Sequence, residues 1–287
     1  MSTGPAGHVA RSTVRPNLET GRRGPFRTFL RTDDGVAIDS VYEPGAVVYD
    51  TSTPPSVVPV FVVAHGFTGD VDRPHVRRVA EAFAQYGAVV TFSFRGHGAS
   101  GGYSTVGDRE VLDLAAAVEW ARGLGHARVV TVGFSMGGSV VLRHAALYGQ
   151  GREGRTEAAT DAVVSVSAPA RWYYRGTAPM RKLHWLVTRP EGRLVGRYGF
   201  RTRIHHREWD PVPLSPVEAV PRIAPTPLLI VHGDRDGYFP LDHPRMLADA
   251  AGDQGELWLE PGMGHAEHAA TDDLLARIGD WGAAQAG

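Results

Sequence analysis

Between Val57 and Gly66 the chain reads VVPVFVVAHG, and the same kind of run, short and almost wholly apolar, returns as AVVTFSFRG from Ala88 and ARVVTVGFS from Ala127. Each is followed by a stretch with helical spacing of its apolar residues: Arg73 to Tyr86, Arg109 to Arg122, and Met136 to Tyr148. Another strand is expected at Val163 to Ser167. Strands this uniformly apolar are covered on both faces, and alternation with helices implies right-handed crossovers into a largely parallel sheet. The pattern therefore predicts an α/β fold, a mostly parallel twisted sheet with helices on both faces.

Ahead of this rhythm, Phe26 to Thr32 and Val36 to Tyr42 flank Asp33-Asp34-Gly35 and predict a hairpin. The turn formers of PGAVVYDTSTPPS, Pro44 to Ser56, predict a surface loop. Between Ala170 and Ile223 the alternation lapses, and arginines, aromatics and prolines dominate. It resumes with TPLLIVHGDRD, a helix over Pro244 to Ala251, the strand ELWLEPG, and a final helix from Glu267 to Trp281. An interruption of roughly 50 residues is too long for an ordinary connection and predicts a cap, or lid. The expected division is a flexible N-terminal arm (1–25), a first core part (26–169), the cap (170–223) and a second core part (224–287).

The length of 287 residues suits one large domain with an insertion, and 43% apolar against 21% charged residues excludes disorder of the whole chain. A net charge of −1 gives no general attraction to nucleic acid or anionic lipid, so any electrostatic preference has to be local and no nucleic-acid partner is expected. The chain has no cysteine, which removes disulfides, thiolate metal sites and a thiol nucleophile. Its 13 histidines include no H-E-x-x-H spacing, so neither a metal nor another cofactor is expected. The first 25 residues lack the apolar segment of a signal peptide, and no window approaches the roughly 20 apolar residues of a spanning helix. The expectation is a soluble cytoplasmic protein with no transmembrane segment.

The chemistry centres on Gly133-Phe134-Ser135-Met136-Gly137, a G-x-S-x-G sequence between a strand and a helix. Such an elbow forces the serine into a strained conformation against closely packed backbone, which the glycines permit. A hydroxyl at the start of a helix also lies beside unpaired N–H groups and their partial positive charge. The Met136 N–H is one expected donor to an oxyanion. A serine hydroxyl is a weak nucleophile and needs a histidine base oriented by a carboxylate. Two later loops, each after an expected strand, offer Asp234 and Asp236 in HGDRDGYFP, then His265 and His268 in MGHAEHAA.

With these residues the chain resembles the α/β-hydrolase superfamily over Val57 to Trp281, on its serine esterase, lysophospholipase and serine aminopeptidase branch. The resemblance implies an H-G-x-x-D acid, which selects Asp236, and a base in a G-H loop, which selects His265. Asp234 and His268 are second choices, and Asp234 is expected to support its turn. AHGFTGD resembles the family's H-G-x turn, implying Phe67 as the second oxyanion donor, with His65 anchoring the loop. SFRGHGASGG resembles the R-G-H-G-x-S loop of members acting on lysophospholipids, monoacylglycerols or small peptides; Arg95, His97 and Ser100 are expected to tie it down. Haloalkane dehalogenases, with aspartate at the elbow, and dienelactone hydrolases, with cysteine there, do not match Ser135.

From Arg171 to Arg207 there are ten basic residues and one acid, Glu191, a local charge of +9. Aromatic residues are interleaved with them. Such a cap suits a substrate with an apolar body and an anionic end, and an anionic membrane surface qualifies as well. Trp172, Arg175 and Trp185 are the expected substrate contacts. The reading is a serine hydrolase of small-molecule carboxylic esters or thioesters. An acyltransferase or thioesterase accessory to a biosynthetic pathway is the alternative, and a ligand-binding protein without turnover is a third.

Overall fold

A computed structural model describes residues 24–46, 58–149 and 156–285. The expected N-terminal arm up to residue 23, and the expected loop from residue 47 onward, lie outside them. Eight strands form one sheet: β1 (Phe26–Arg31), β2 (Ala37–Glu43), β3 (Pro59–Ala64), β4 (Ala88–Phe92), β5 (Arg128–Phe134), β6 (Ala162–Val166), β7 (Leu228–Gly233) and β8 (Gly255–Glu260). Their spatial order is β1-β2-β4-β3-β5-β6-β7-β8. The first two form the expected hairpin, with Phe26 opposite Tyr42. β2 runs antiparallel to β4, and every later pairing is parallel.

The helices that follow the early strands are α1 (Pro74–Phe83), α2 (Glu110–Gly123) and α3 (Met136–Tyr148). Later come α4 (Ala178–Thr188), α5 (Pro190–Gly199), α6 (Pro216–Ala219), α7 (Asp242–Ala251), α8 (Ala266–Ala269) and α9 (Asp272–Gln285). The wholly apolar strands are explained by two cores, one on each face of the sheet. In β3, Val60, Val62 and Ala64 pack on the side of Leu114, Leu142 and Leu247, from α2, α3 and α7. Phe61 and Val63 pack on the other side, with Phe83 of α1 and Leu275 and Ile278 of α9. The Phe61 and Phe83 rings stack at 5.1 Å. Each such fully buried side chain stabilises the fold by about 1.5–3 kcal/mol.

One expectation is corrected, and one region gains detail. The single final helix is broken into α8 and α9, because Ala270 is extended and Thr271 restarts the helix: its hydroxyl accepts from the Leu274 N–H at 3.2 Å. The interval from 170 to 223, where regular alternation lapses, contains α4 and α5. Thr177 caps α4 by accepting from the Met180 N–H, with proline in the first turn, and Pro190 opens α5. Those capping residues were the readable signal. Among the described residues no helix is long and apolar enough to cross a membrane.

Candidate active site

Ser135 follows the last residue of β5 and caps α3, with φ 52° and ψ −112°. A non-glycine residue there stores on the order of 1–3 kcal/mol of strain, sustained only where the surroundings over-determine it. Here they do. The Ser135 N–H donates to Val166 O at 2.8 Å, and Ser135 O accepts from the Ser139 N–H at 3.2 Å. A Cβ on Gly133 would sit 2.2 Å from Gly137 O, and one on Gly137 would sit 2.1 Å from Ala64 O. The glycines let α3 start directly against β3, which leaves the serine at the carboxyl edge of the sheet.

The loops after β7 and β8 meet it there. His265 Nε2 lies 2.9 Å from Ser135 Oγ, and His265 Nδ1 lies 2.7 Å from Asp236 Oδ2. Burial by itself would push the Asp236 carboxyl up. The hydrogen bond and charge of His265, with the amides of Phe239 and Tyr238, outweigh it and hold the group below the usual carboxylate range. Both amides donate to Asp236 Oδ1, at 2.7 Å from Tyr238 and 3.1 Å from Phe239. An ionised carboxylate only accepts, so Nδ1–H of His265 donates to it and Nε2 is left to accept from the Ser135 hydroxyl.

The second choices go elsewhere. Asp234 accepts from the Gly262 N–H at 2.6 Å and so joins the two loops. His268 lies against His75, ring to ring at 3.8 Å. His232, beneath Asp236, donates to Phe239 O at 2.9 Å, and burial pushes its imidazole below the ordinary value.

His65 is locked at both nitrogens. It accepts from the Phe94 N–H at 3.0 Å, so its other nitrogen donates to Gly66 O at 2.7 Å, and burial pushes its pKa down to about 3. A neutral, fixed imidazole thus shapes the turn that presents Phe67. For the N–H groups of Phe67 and Met136 no acceptor is found among the described residues. Arg95 anchors the neighbouring loop through a paired contact with Asp113, at 2.9 and 2.8 Å, and a second with Asp34. Ser100 donates to Ser93 O at 2.6 Å, and His97 Nδ1 lies 3.0 Å from Arg95 O.

A cavity of about 370 Å³ opens over Ser135, with Phe67, Met136, Trp172 and Arg175 in its wall. Trp185 is not in that wall; it lies on the outside of α4, 48% exposed.

Two contributors had no signal in the sequence. Glu267, 4% exposed, accepts from the Gly66 N–H at 3.0 Å across 201 positions, strapping α8 to the Phe67 turn. Tyr238 stacks on the His265 ring at 4.2 Å. Glu267 also belongs, with His75 and His268, to a group whose potential metal-ligand atoms lie within 4.8 Å of one another. One of its oxygens is already committed to Gly66.

Residues 61–278 match the model of the alpha/beta hydrolase family, and the chain belongs to that family. It is 29% identical over 246 residues to a monoacylglycerol lipase of Mycolicibacterium smegmatis, a match covering 76% of this chain and 85% of that protein. Among solved structures, an esterase of Pyrococcus furiosus superposes with a TM-score of 0.66 at 22% identity, over 92% of this chain and 93% of the other. An alpha/beta hydrolase of Penicillium sp. sh18 gives the same TM-score of 0.66 at 17% identity, over 91% and 98%. At these identities the structural matches establish the fold.

Proposed function

We propose that this protein is a serine hydrolase that cleaves carboxylic esters, thioesters included, through an acyl-enzyme intermediate. Ser135 Oγ attacks the carbonyl carbon while His265 Nε2 takes its proton, and Asp236 holds the imidazole and stabilises its charged form. The N–H groups of Phe67 and Met136 donate to the oxygen as it becomes negative. Collapse breaks the ester bond, and the leaving alcohol or thiol receives the proton from His265 Nε2. A water molecule then attacks the acyl group with His265 again as base, and the acid leaves as Ser135 regains its proton.

The observation that carries this reading is the continuous relay from Ser135 Oγ through His265 to Asp236, at 2.9 and 2.7 Å. A relative named as a monoacylglycerol lipase favours esters with an apolar acyl chain, as do Trp172, Trp209 and Phe239 in the cavity wall. Residues 170–223 act as the cap over the bound substrate.

A fluorophosphonate probe tests the reading. The wild-type protein is expected to be labelled and to hydrolyse p-nitrophenyl acyl esters. Ser135→Ala should lose labelling, and Ser135→Ala and His265→Ala should each lower kcat by about 10⁴-fold or more. Full labelling of Ser135→Ala would refute it. Delivery of the acyl group to another acceptor shares every step up to the acyl enzyme and is distinguished by product analysis with added alcohols, amines and thiols.

A further inference from the structure

Helix α5, PEGRLVGRYG, is oriented the wrong way round for a soluble protein. The residues it buries are Gly192 and Gly196. A Cβ on Gly192 would sit 2.5 Å from Trp185 O, and one on Gly196 would sit 3.1 Å from Ile204 Cδ1, so the helix lies flat on its neighbours along a glycine stripe. At 100° per residue, Leu194 and Tyr198 fall on the opposite side and Val195 on the flank between. They are 57%, 45% and 76% exposed. An amphipathic surface helix ordinarily turns its aliphatic side chains inward; this one holds them out.

The surrounding surface is of the same kind. Trp185 on α4 is exposed, with Arg181 and Lys182 one turn before it on the same face, and Phe200 is exposed just beyond α5. Arg189, Arg193 and Arg197 follow along the two helices, then Arg201 and Arg203. Of the ten basic residues between 171 and 207, only Arg171 has a carboxylate in ion-pair range among the described residues, Asp242 at 2.9 Å. Arg175, Arg181, Arg193 and Arg203 donate to neutral groups nearby, which leaves their charge unpaired.

We infer that the outer face of α4 and α5 docks on an anionic lipid surface. Apolar and aromatic side chains ringed by uncompensated arginines match the two requirements of interfacial binding, burial of apolar surface at the headgroup boundary and attraction to anionic headgroups. A second copy of the chain is disfavoured by charge. A two-fold interface places the same patch on itself, and here it would set Arg181, Lys182, Arg189 and Arg197 against the same four charges of the other copy. Arg193, Val187 and Thr188 of these helices also line the cavity over Ser135. Docking therefore brings the cavity to the lipid. The inference concerns where the protein sits and stands apart from the chemistry assigned to Ser135.

Co-sedimentation of the full chain with phosphatidylcholine vesicles, with and without phosphatidylglycerol, tests it. Binding is expected on the anionic vesicles and should weaken as salt rises. Leu194→Ser/Val195→Ser/Tyr198→Ser should reduce partitioning by about tenfold or more. Each of Lys182→Gln, Arg189→Gln and Arg197→Gln should reduce it about fivefold. Because these side chains are exposed, the variants should keep the wild-type melting temperature and the wild-type rate on a short water-soluble ester. Three results would overturn the inference: equal binding of wild type and the triple variant, equal binding to neutral and anionic vesicles, or self-association in sedimentation velocity that the triple variant abolishes.

Discussion

Asp236 carries more of the site's electrostatic load than its position in a turn suggests. It accepts two backbone amides on one oxygen and the His265 N–H on the other, and its pKa is lowered as a result. A carboxyl whose folded pKa is depressed contributes stability at pH above its ordinary value, and that contribution is lost as pH falls through the depressed value. The wild-type protein should therefore lose unfolding free energy below about pH 4 faster than Asp236→Asn, which has no such proton to bind. Urea unfolding of both proteins across that range measures the difference. A difference that stays constant with pH would remove Asp236 as the source. At this scale the sequence pointed to Ser135 through its elbow motif, but left Asp234 beside Asp236 and His268 beside His265, and only the family resemblance chose between them. The sequence was silent about Tyr238 as a stacking partner, since a ring two residues beyond the acid can point in several directions until the loop is folded.

At the scale of elements, the Glu267 strap joins α8 to the turn after β3, so the loop holding His265 is tied to the loop presenting Phe67. Glu267→Ala should lower kcat for ester hydrolysis about tenfold with KM little changed, as expected when a donor for the developing oxyanion is displaced. Glu267→Gln, which keeps an accepting oxygen, should restore much of the loss. Steady-state kinetics with a melting temperature for each variant separates positioning from unfolding; an unchanged kcat in Glu267→Ala would dismiss the strap. The strands were legible because two-sided burial writes a continuous apolar run. α4 and α5 were harder to see, because the periodicity that marks a helix comes from burying one apolar face, and α5 buries glycine instead. The break between α8 and α9 was also missed, since a mid-helix threonine reads as a cap only once the preceding residue is known to be extended.

Across the whole molecule, firmness is uneven. β3 and β5 are buried throughout or nearly so, whereas α4 buries Met180 and Leu186 and α5 only two glycines. Local opening should follow that contrast, with amides of α4 and α5 exchanging far sooner than those of β3 and β5. Hydrogen exchange read by mass spectrometry checks this, and equal protection of the two regions would mean that α4 and α5 are packed as firmly as the sheet. The sequence by itself determined the α/β class, the strands of the parallel core and the motifs bearing serine, acid and histidine, because patterning and turn chemistry act over a few neighbouring residues. The tertiary structure decided what depends on distant segments meeting. It brought His265 within 2.9 Å of Ser135 across 130 positions, bound Glu267 to Gly66, and turned the apolar side of α5 outward by packing its glycines inward.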